Sequence, residues 1–173
     1  MTGRSLNATA ASVLGFLHDG PQTGWDLVAM AQKEIGDFWS LTQSQVYREL
    51  TSMAADGLVV AHARGRRDRQ PYEITEAGRA AFADWMSQAP GPELIRFPLL
   101  LTVLFGRHVP AGLLAEHLAR HRAVHAERLA DYEAARTRLD AGDEYKRATL
   151  EFGLAYERAV LAWFDALPPG LGS

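Results

Sequence analysis

The chain has 173 residues, enough for one ordinary domain or two small ones, and its 47% hydrophobic and 23% charged residues are typical of a globular protein with a buried core. It contains no cysteine, which excludes disulfides, thiolate metal sites and cysteine nucleophiles. The net charge of −3 does not exclude nucleic acid, because phosphate binding depends on the local potential within about 8 Å rather than on the total charge.

The distribution of residues along the chain narrows these possibilities. Residues 64–69 carry four arginines against one aspartate, so one short segment is strongly basic. The amino-terminal 20 residues lack the continuous apolar run and cleavage pattern of a signal peptide, and no window of about 18 apolar residues occurs. We therefore expect a cytoplasmic protein with no membrane partner.

The first two predicted elements are helices. Apolar residues recur at helical spacing over residues 6–17, and an Asp-Gly-Pro turn at 19–21 ends that helix. A second helix is predicted from Thr23 to Gly36. Thr23 is an N-capping residue, and Asp26 stands three positions later, where its carboxylate completes a capping box.

A third helix follows, with a second capping-box pattern at its start. In the letters T-Q-S-Q at 42–45, Gln45 is placed to return to the backbone of Thr42. Gly57 is suited to cap the other end of this helix. The apolar face between the two caps consists of Val46, Leu50 and Met53.

After Gly57 the period of the pattern changes from helix to strand. Residues 58–63 and 72–75 alternate between the two faces of a strand, which predicts a β-hairpin whose tip is the basic segment 64–69. Pro71 confines the second strand to a sheet edge or a strand start. A fourth helix opens at Thr75 and faces the core with Ala81, Phe82 and Trp85.

Two prolines and a glycine within residues 88–92 predict a boundary, and three helical stretches follow it at 94–105, 111–139 and 145–167. We therefore expect a mainly α fold. Its first part, residues 1–86, is predicted to be a winged helix-turn-helix DNA-binding domain of three helices plus a two-stranded wing. Its second part, residues 93–168, is predicted to be an α-helical dimerisation domain.

The order of helices and hairpin predicts binding of double-stranded DNA. A helix-turn-helix places the N-terminal half of its last helix in the major groove, where Gln and Arg read base edges and hydroxyls donate to phosphates. Arginines of a wing reach the flanking backbone or a minor groove. The residues predicted to bind DNA are Thr42, Gln43, Ser44, Gln45, Tyr47 and Arg48 on the helix, and Arg64, Arg66, Arg67 and Arg69 on the wing.

The same residues resemble a known family. The segments S-L-T-Q-S-Q-V-Y-R-E-L-T-S-M-A-A-D-G-L-V (40–59) and R-G-R-R-D-R-Q-P-Y-E-I-T-E-A-G-R (64–79) are similar to the PadR family of bacterial regulators, particularly its subgroup with a long helical C-terminal domain. Gly24-Trp25-Asp26-Leu27 matches the family element G-[YWF]-[DE]-[LI]. The resemblance covers residues 6–86 and extends over the C-terminal half by layout.

The resemblance implies a homodimeric repressor that binds an inverted-repeat operator and releases it when a small, often phenolic or otherwise aromatic effector binds. It also implies that Tyr47 contacts phosphate, Ser44 and Gln45 the groove, and Arg66 and Arg67 the DNA beside the wing. An apolar pattern near 3.5-residue spacing on the long helix favours a dimer seam. The residues predicted to form that seam are Leu114, Leu118, His121, His125, Tyr132, Leu154, Leu161 and Phe164.

Plainer interpretations stay open for several of these residues. Tyr47 adjoins a buried face and suits a packing role, and the arginine hairpin alone is compatible with a solvated turn. The stripe of His117, His121 and His125 allows a zinc site, although a dimer seam or a solvated face is commoner for such histidines. Four tryptophans suit a hydrophobic core more often than an effector pocket, namely Trp25, Trp39, Trp85 and Trp163.

No catalytic motif accompanies these features. The chain has no glycine-rich phosphate loop after a strand, no G-x-S-x-G and no H-E-x-x-H, so we expect no enzyme activity and no cofactor. The alternative function is that of a winged-helix protein–protein interaction module that does not bind DNA. Salt dependence separates the two, since DNA binding weakens linearly in log K against log salt.

Overall fold

A computed structural model describes residues 6–65, 69–93, 95–139 and 142–171. Across these residues the chain forms seven α-helices and three short strands, which confirms the mainly α prediction. The helices are α1 (Ala8–Phe16), α2 (Gly24–Ile35), α3 (Gln43–Ala55), α4 (Glu76–Met86), α5 (Pro98–Leu104), α6 (Leu113–Arg138) and α7 (Glu144–Asp165). The strands are β1 (Gln22–Thr23), β2 (Val59–Ala61) and β3 (Pro71–Ile74).

The chain divides into two compact units, residues 1–92 and 93–173. In the first unit α1 packs on α3 and α4, and α2 packs on α3. Its core is apolar side chains that these helices and the sheet bury together, and the largest are Leu14, Leu17, Leu27, Leu50 and Met53. Phe82 and Trp85 of α4 pack against this core while half-buried, as the periodicity predicts.

Two helices of this unit begin at capping boxes, and both are confirmed. The Oγ1 of Thr23 accepts from the backbone N–H of Asp26 at 3.2 Å, and the Asp26 carboxylate accepts from the backbone N–H of Thr23 at 3.1 Å. Thr42 and Gln45 form the same arrangement at the start of α3. Because each box fixes the first turn of its helix, the starts of α2 and α3 are set by local sequence.

The sheet has one strand more than the sequence predicts. Its order is β1–β3–β2, with both neighbours antiparallel to β3. Pro71 is the first residue of the central strand, the position where a residue without an N–H is tolerated. Since β1 immediately precedes α2 and pairs with β3, the returning strand of the wing is joined to the start of α2.

The second unit is built on an antiparallel hairpin of α6 and α7, with α5 packed on α6. Ion pairs join the hairpin at both ends, Arg122 with Asp165 at 2.8 Å and Arg136 with Glu151 at 3.7 Å. Gly153 lets the helices approach closely, because a Cβ there would lie 2.8 Å from the ring of Tyr132.

Five of the residues predicted to form the dimer seam are buried inside the chain's own second unit: Leu114, Leu118, His125, Leu154 and Phe164. The reason is that α7 folds back on α6 and covers its apolar stripe. Tyr132 and Leu161 are half-buried, and His121 is exposed.

None of the helices within the described ranges has the length and apolar character needed to cross a membrane.

Candidate nucleic-acid interface

The α3 helix presents a polar face to solvent at its N-terminal end. Val46, Leu50 and Met53 are fully buried and fix the helix on the core of the first unit. The opposite side of the helix is therefore held outward in one orientation. The exposed side chains on it that were predicted to bind DNA are Thr42, Gln43, Ser44, Tyr47 and Arg48.

Gln45 has a different position from its neighbours. It is half-buried, and its Oε1 accepts from the backbone N–H of Thr42 at 3.0 Å and from the Thr42 hydroxyl at 2.9 Å. The capping box therefore occupies the amide oxygen that a bidentate contact with adenine requires. We expect Gln45 to position the start of α3, and we expect Gln43 and Ser44 beside it to face the groove.

Tyr47 combines a packing contact with an exposed edge. Its side chain is 44% exposed, yet the ring lies against the first residue of α2, since a Cβ added at Gly24 would come 2.7 Å from the Tyr47 Cε1. A glycine at position 24 thus makes room for the ring. The packing and phosphate-contact interpretations of Tyr47 are therefore compatible, because the contact with Gly24 leaves much of the side chain accessible.

One asparagine links α1 to α3. The Oδ1 of Asn7 caps α1 by accepting from the backbone N–H of Ala10 at 2.8 Å. Its Nδ2 donates to the Oε1 of Glu49 at 3.0 Å, and Glu49 is a buried carboxylate on α3. Sequence reasoning missed this link because its two residues are 42 positions apart.

The replacement Asn7→Asp tests this link. Aspartate keeps the N-cap, but it replaces the amide donor by a carboxylate that faces the Glu49 carboxylate. We expect the free energy of unfolding to fall by about 1–3 kcal/mol, measured by urea denaturation at neutral pH. Asn7→Ser is the matched control, since it keeps the cap, removes the donor and adds no charge. Equal stability of Asn7→Asp and wild type would contradict the link.

The wing extends beyond its regular strands. His62 donates its backbone N–H to the Pro71 carbonyl at 2.9 Å, and Gly65 donates to the Arg69 carbonyl at 2.8 Å. Across the strands the Nε2 of His62 lies 2.8 Å from a carboxylate oxygen of Glu73. Arg64 and Arg69 are exposed on this hairpin. The predicted contacts Arg66 and Arg67 lie outside the described residues.

Trp25 and Arg69 stack beside this surface. The Cζ of Arg69 lies 5.0 Å from the centroid of the Trp25 ring, a cation–π distance, and Trp25 remains 49% exposed. Sequence reasoning weighed Trp25 as a core or effector-pocket residue, and its exposure contradicts the core interpretation. The sequence signal for a surface position was that Trp25 is the second residue of α2 and that no apolar residue stands directly before this helix.

The histidine stripe on α6 is not arranged as a metal site. His125 is buried with its Nδ1 2.5 Å from the Glu157 carboxylate, whereas His121 is exposed. Partial burial, and then the positive charge of Arg120, lower the pKa of His121 below its usual value. No group of three His, Asp or Glu side chains in the described part of the chain is placed to hold a metal ion.

Two family models together match most of the chain. Residues 13–84 match the PadR-like family of transcriptional regulators, and residues 95–167 match the C-terminal domain of virulence activator alpha. The negative transcriptional regulator PadR of Bacillus subtilis is 27% identical over 120 residues, which are 65% of this chain and 66% of that protein.

Over residues 13–84 the chain belongs to the PadR-like family of transcriptional regulators. This confirms the resemblance, and the relatives are regulators rather than enzymes. The aligned part spans slightly less than two thirds of the Bacillus regulator.

Three solved structures match the fold over more than nine tenths of the chain. Bacillus subtilis PadR in complex with operator DNA matches with a TM-score of 0.77 at 21% identity over 92% of this chain and 96% of that one. The same protein in complex with p-coumaric acid matches with a TM-score of 0.71 at 20% identity over 92% and 96%. The Vibrio cholerae virulence activator AphA matches with a TM-score of 0.70 at 26% identity over 91% and 94%.

Proposed function

We propose that this PadR-like chain is a sequence-specific DNA-binding repressor that acts as a homodimer on an inverted-repeat operator. The observation that carries the proposal is the exposed polar face at the capped start of α3, which holds Gln43, Ser44, Tyr47 and Arg48 outward. The buried side of the helix is fixed by fully buried apolar residues, so these side chains form a preorganised surface.

The chemistry of this face suits a major groove. Gln43 and Arg48 carry the amide and guanidinium groups that make bidentate contacts with adenine and guanine, and the hydroxyls of Ser44 and Tyr47 reach phosphates. The wing adds positive charge in Arg64 and Arg69, which are both exposed. We expect the chain to act in the cytoplasm.

We expect the dimer to form through the second unit, on a surface that differs from the seam predicted by the sequence. The short helix α5 and the residue after it expose apolar side chains that the chain does not cover, namely Leu100, Leu101, Leu104 and Phe105. A contiguous apolar patch of this kind is typical of an interface. One recognition helix reads too few base pairs for selectivity, and a two-fold pair reads two half-sites.

The proposal also includes a small aromatic effector. The second unit has an open cavity of about 270 Å³ whose lining includes Leu118, Phe164, Leu167 and the charged Arg122. The mostly apolar lining suits a small aromatic molecule, and a Bacillus relative was solved with p-coumaric acid. Arg122 could contact an acid group only while sharing its guanidinium with Asp165. Such a ligand would release DNA by binding one arrangement of the dimer better than the other. Titrating p-coumaric acid into the protein–DNA complex and following release tests this part.

Selection of bound sequences from a random DNA pool tests the proposed function. We expect an inverted repeat whose half-sites are one helical turn or more apart, and a log K that falls linearly with log salt. Arg48→Gln should relax the preference at one position of each half-site, while Arg147→Gln on α7 is a control of equal charge. Enrichment of a single half-site would contradict the dimer. No enrichment and no salt dependence would favour the protein–protein interaction module.

A further inference from the structure

An aromatic ring and a cation meet where three elements of the first unit converge. Trp25 is the second residue of α2, and the Cζ of Arg69 lies 5.0 Å from its ring centroid. Strand β1, just before α2, pairs with the start of β3, and the ring of Tyr47 on α3 lies against Gly24. The wing, α2 and α3 therefore share one corner of the surface, and the stacked pair lies at this corner.

Both members of the pair are accessible from solvent. Trp25 is half exposed and Arg69 is exposed. Within the described ranges no carboxylate forms an ion pair with Arg69. The acidic residue next to Trp25 along α2 is Asp26, whose Oδ2 accepts from the Thr23 hydroxyl at 2.6 Å in the capping box. The Arg69 guanidinium therefore stacks on the Trp25 ring, and no carboxylate within the described residues neutralises its charge.

The geometry of a guanidinium lets it stack and bind an anion at once. The group is planar, and its five N–H donors point outward in that plane, where they match the oxygens of a phosphate. A ring that holds the group in place also removes part of the entropy cost of ordering a long side chain during binding. An exposed arginine without such a ring meets that cost in full when DNA binds.

We propose that Trp25 positions Arg69 to bind a DNA phosphate beside the recognition helix α3. This assignment rests on the proposed function, and it makes Trp25 a positioning residue of the interface. It also accounts for an indole that is 49% exposed on the surface of the first unit. The phosphate contact carries no sequence information, so the pair contributes affinity and orientation rather than base preference.

Trp25→Leu tests the assignment because it removes the ring without changing the charge. On a duplex of random sequence we expect binding to weaken about fivefold and the slope of log K against log salt to become shallower by about 0.9, the share of one phosphate contact. Arg69→Gln should give the same change. The double variant should add nothing further, because both substitutions remove one contact.

Two control variants distinguish the effect of losing the ring from an effect of lost charge or of altered folding. Arg79→Gln on α4 loses the same charge from a half-buried arginine beside Glu76, and it should leave the slope unchanged. Trp25→Phe keeps an aromatic face and should bind as wild type does. In the DNA-free protein, NMR should show the side-chain protons of Arg69 shifted upfield by the ring in wild type and Trp25→Phe, and unshifted in Trp25→Leu.

The outcomes distinguish this assignment from the proposed function. If Trp25→Leu binds as wild type does while Arg69→Gln loses slope, Arg69 reaches DNA unaided and the role of Trp25 is overturned. If Arg69→Gln keeps the full slope, the phosphate contact itself is overturned. A wild-type chain that binds no duplex refutes the proposed function, and the assignment with it.

Discussion

Replacing Gly78 by alanine is expected to destabilise the first unit by about 2–3 kcal/mol, although alanine is the better helix former by about 1 kcal/mol. Gly78 is buried in the first turn of α4, and a Cβ there would collide with the backbone carbonyl of Leu58 and come 2.9 Å from the Cγ1 of Ile74. The carbonyl of Leu58 also accepts from the backbone N–H of Thr75 at 3.1 Å. A collision with backbone cannot be relieved by a side-chain rotation, so α4 must move away from Leu58.

Thermal unfolding of the full chain measures this effect. A loss of that size should lower the midpoint of the first unit by about 10 °C or more. Gly91→Ala is the matched control, because no atom lies within 4 Å of a Cβ at that position and the change should stay within about 0.5 kcal/mol. A Gly78→Ala protein as stable as wild type would show that α4 packs less closely on Leu58 than the structure has it.

The second large effect is expected from His125→Leu in the other unit. Glu157 is completely buried, its Oε2 is 2.5 Å from the Nδ1 of His125, and its Oε1 has no hydrogen-bond partner in the described structure. The guanidinium of Arg128 lies 4.0 Å from this Oε1. Removing the imidazole leaves a buried carboxylate with little compensation, for which we expect a loss of about 3–5 kcal/mol.

A double-mutant cycle in the full chain separates the pair from its surroundings. Glu157→Leu alone should cost less than His125→Leu, because it leaves behind a ring that can be neutral. The double variant should recover most of the stability, since leucines suit a site bordered by Phe97 and Phe164. Glu151→Ala breaks an exposed pair as a control and should cost less than about 1 kcal/mol. Additive losses in the cycle would contradict a coupled pair.

The sequence predicts the features of this fold that local chemistry determines. Thr23 and Thr42 each reach a residue three positions away, so both capping boxes can be recognised from letters alone, and Gly57 has the positive φ of 73° expected after a helix end. The same local geometry explains why Gln45 was assigned two roles. One amide was expected both to cap and to read bases, and the structure uses its oxygen for the cap.

Features that depend on distant partners could not be predicted in the same way. Strand β1 has two residues and no period of its own, so it exists only because β3 pairs with it. Periodicity along α6 shows which side is apolar, but it cannot say whether a second copy or the chain's own α7 covers that side. The contact of Tyr47 with Gly24 and that of Asn7 with Glu49 likewise join residues far apart in sequence.

The ion pairs between α6 and α7 also disfavour some ways in which the two helices could slide along each other. Arg122 and Arg136 pair with acids on α7, whereas Glu133 pairs with Arg158 at 3.1 Å and so reverses the order of the charges. If the helices slid by two turns one way, Arg136 would come opposite Arg158; slid the other way, Glu133 would approach Glu151. Each exposed pair is worth less than about 1 kcal/mol. Together they favour the observed alignment and penalise slips of two turns in either direction.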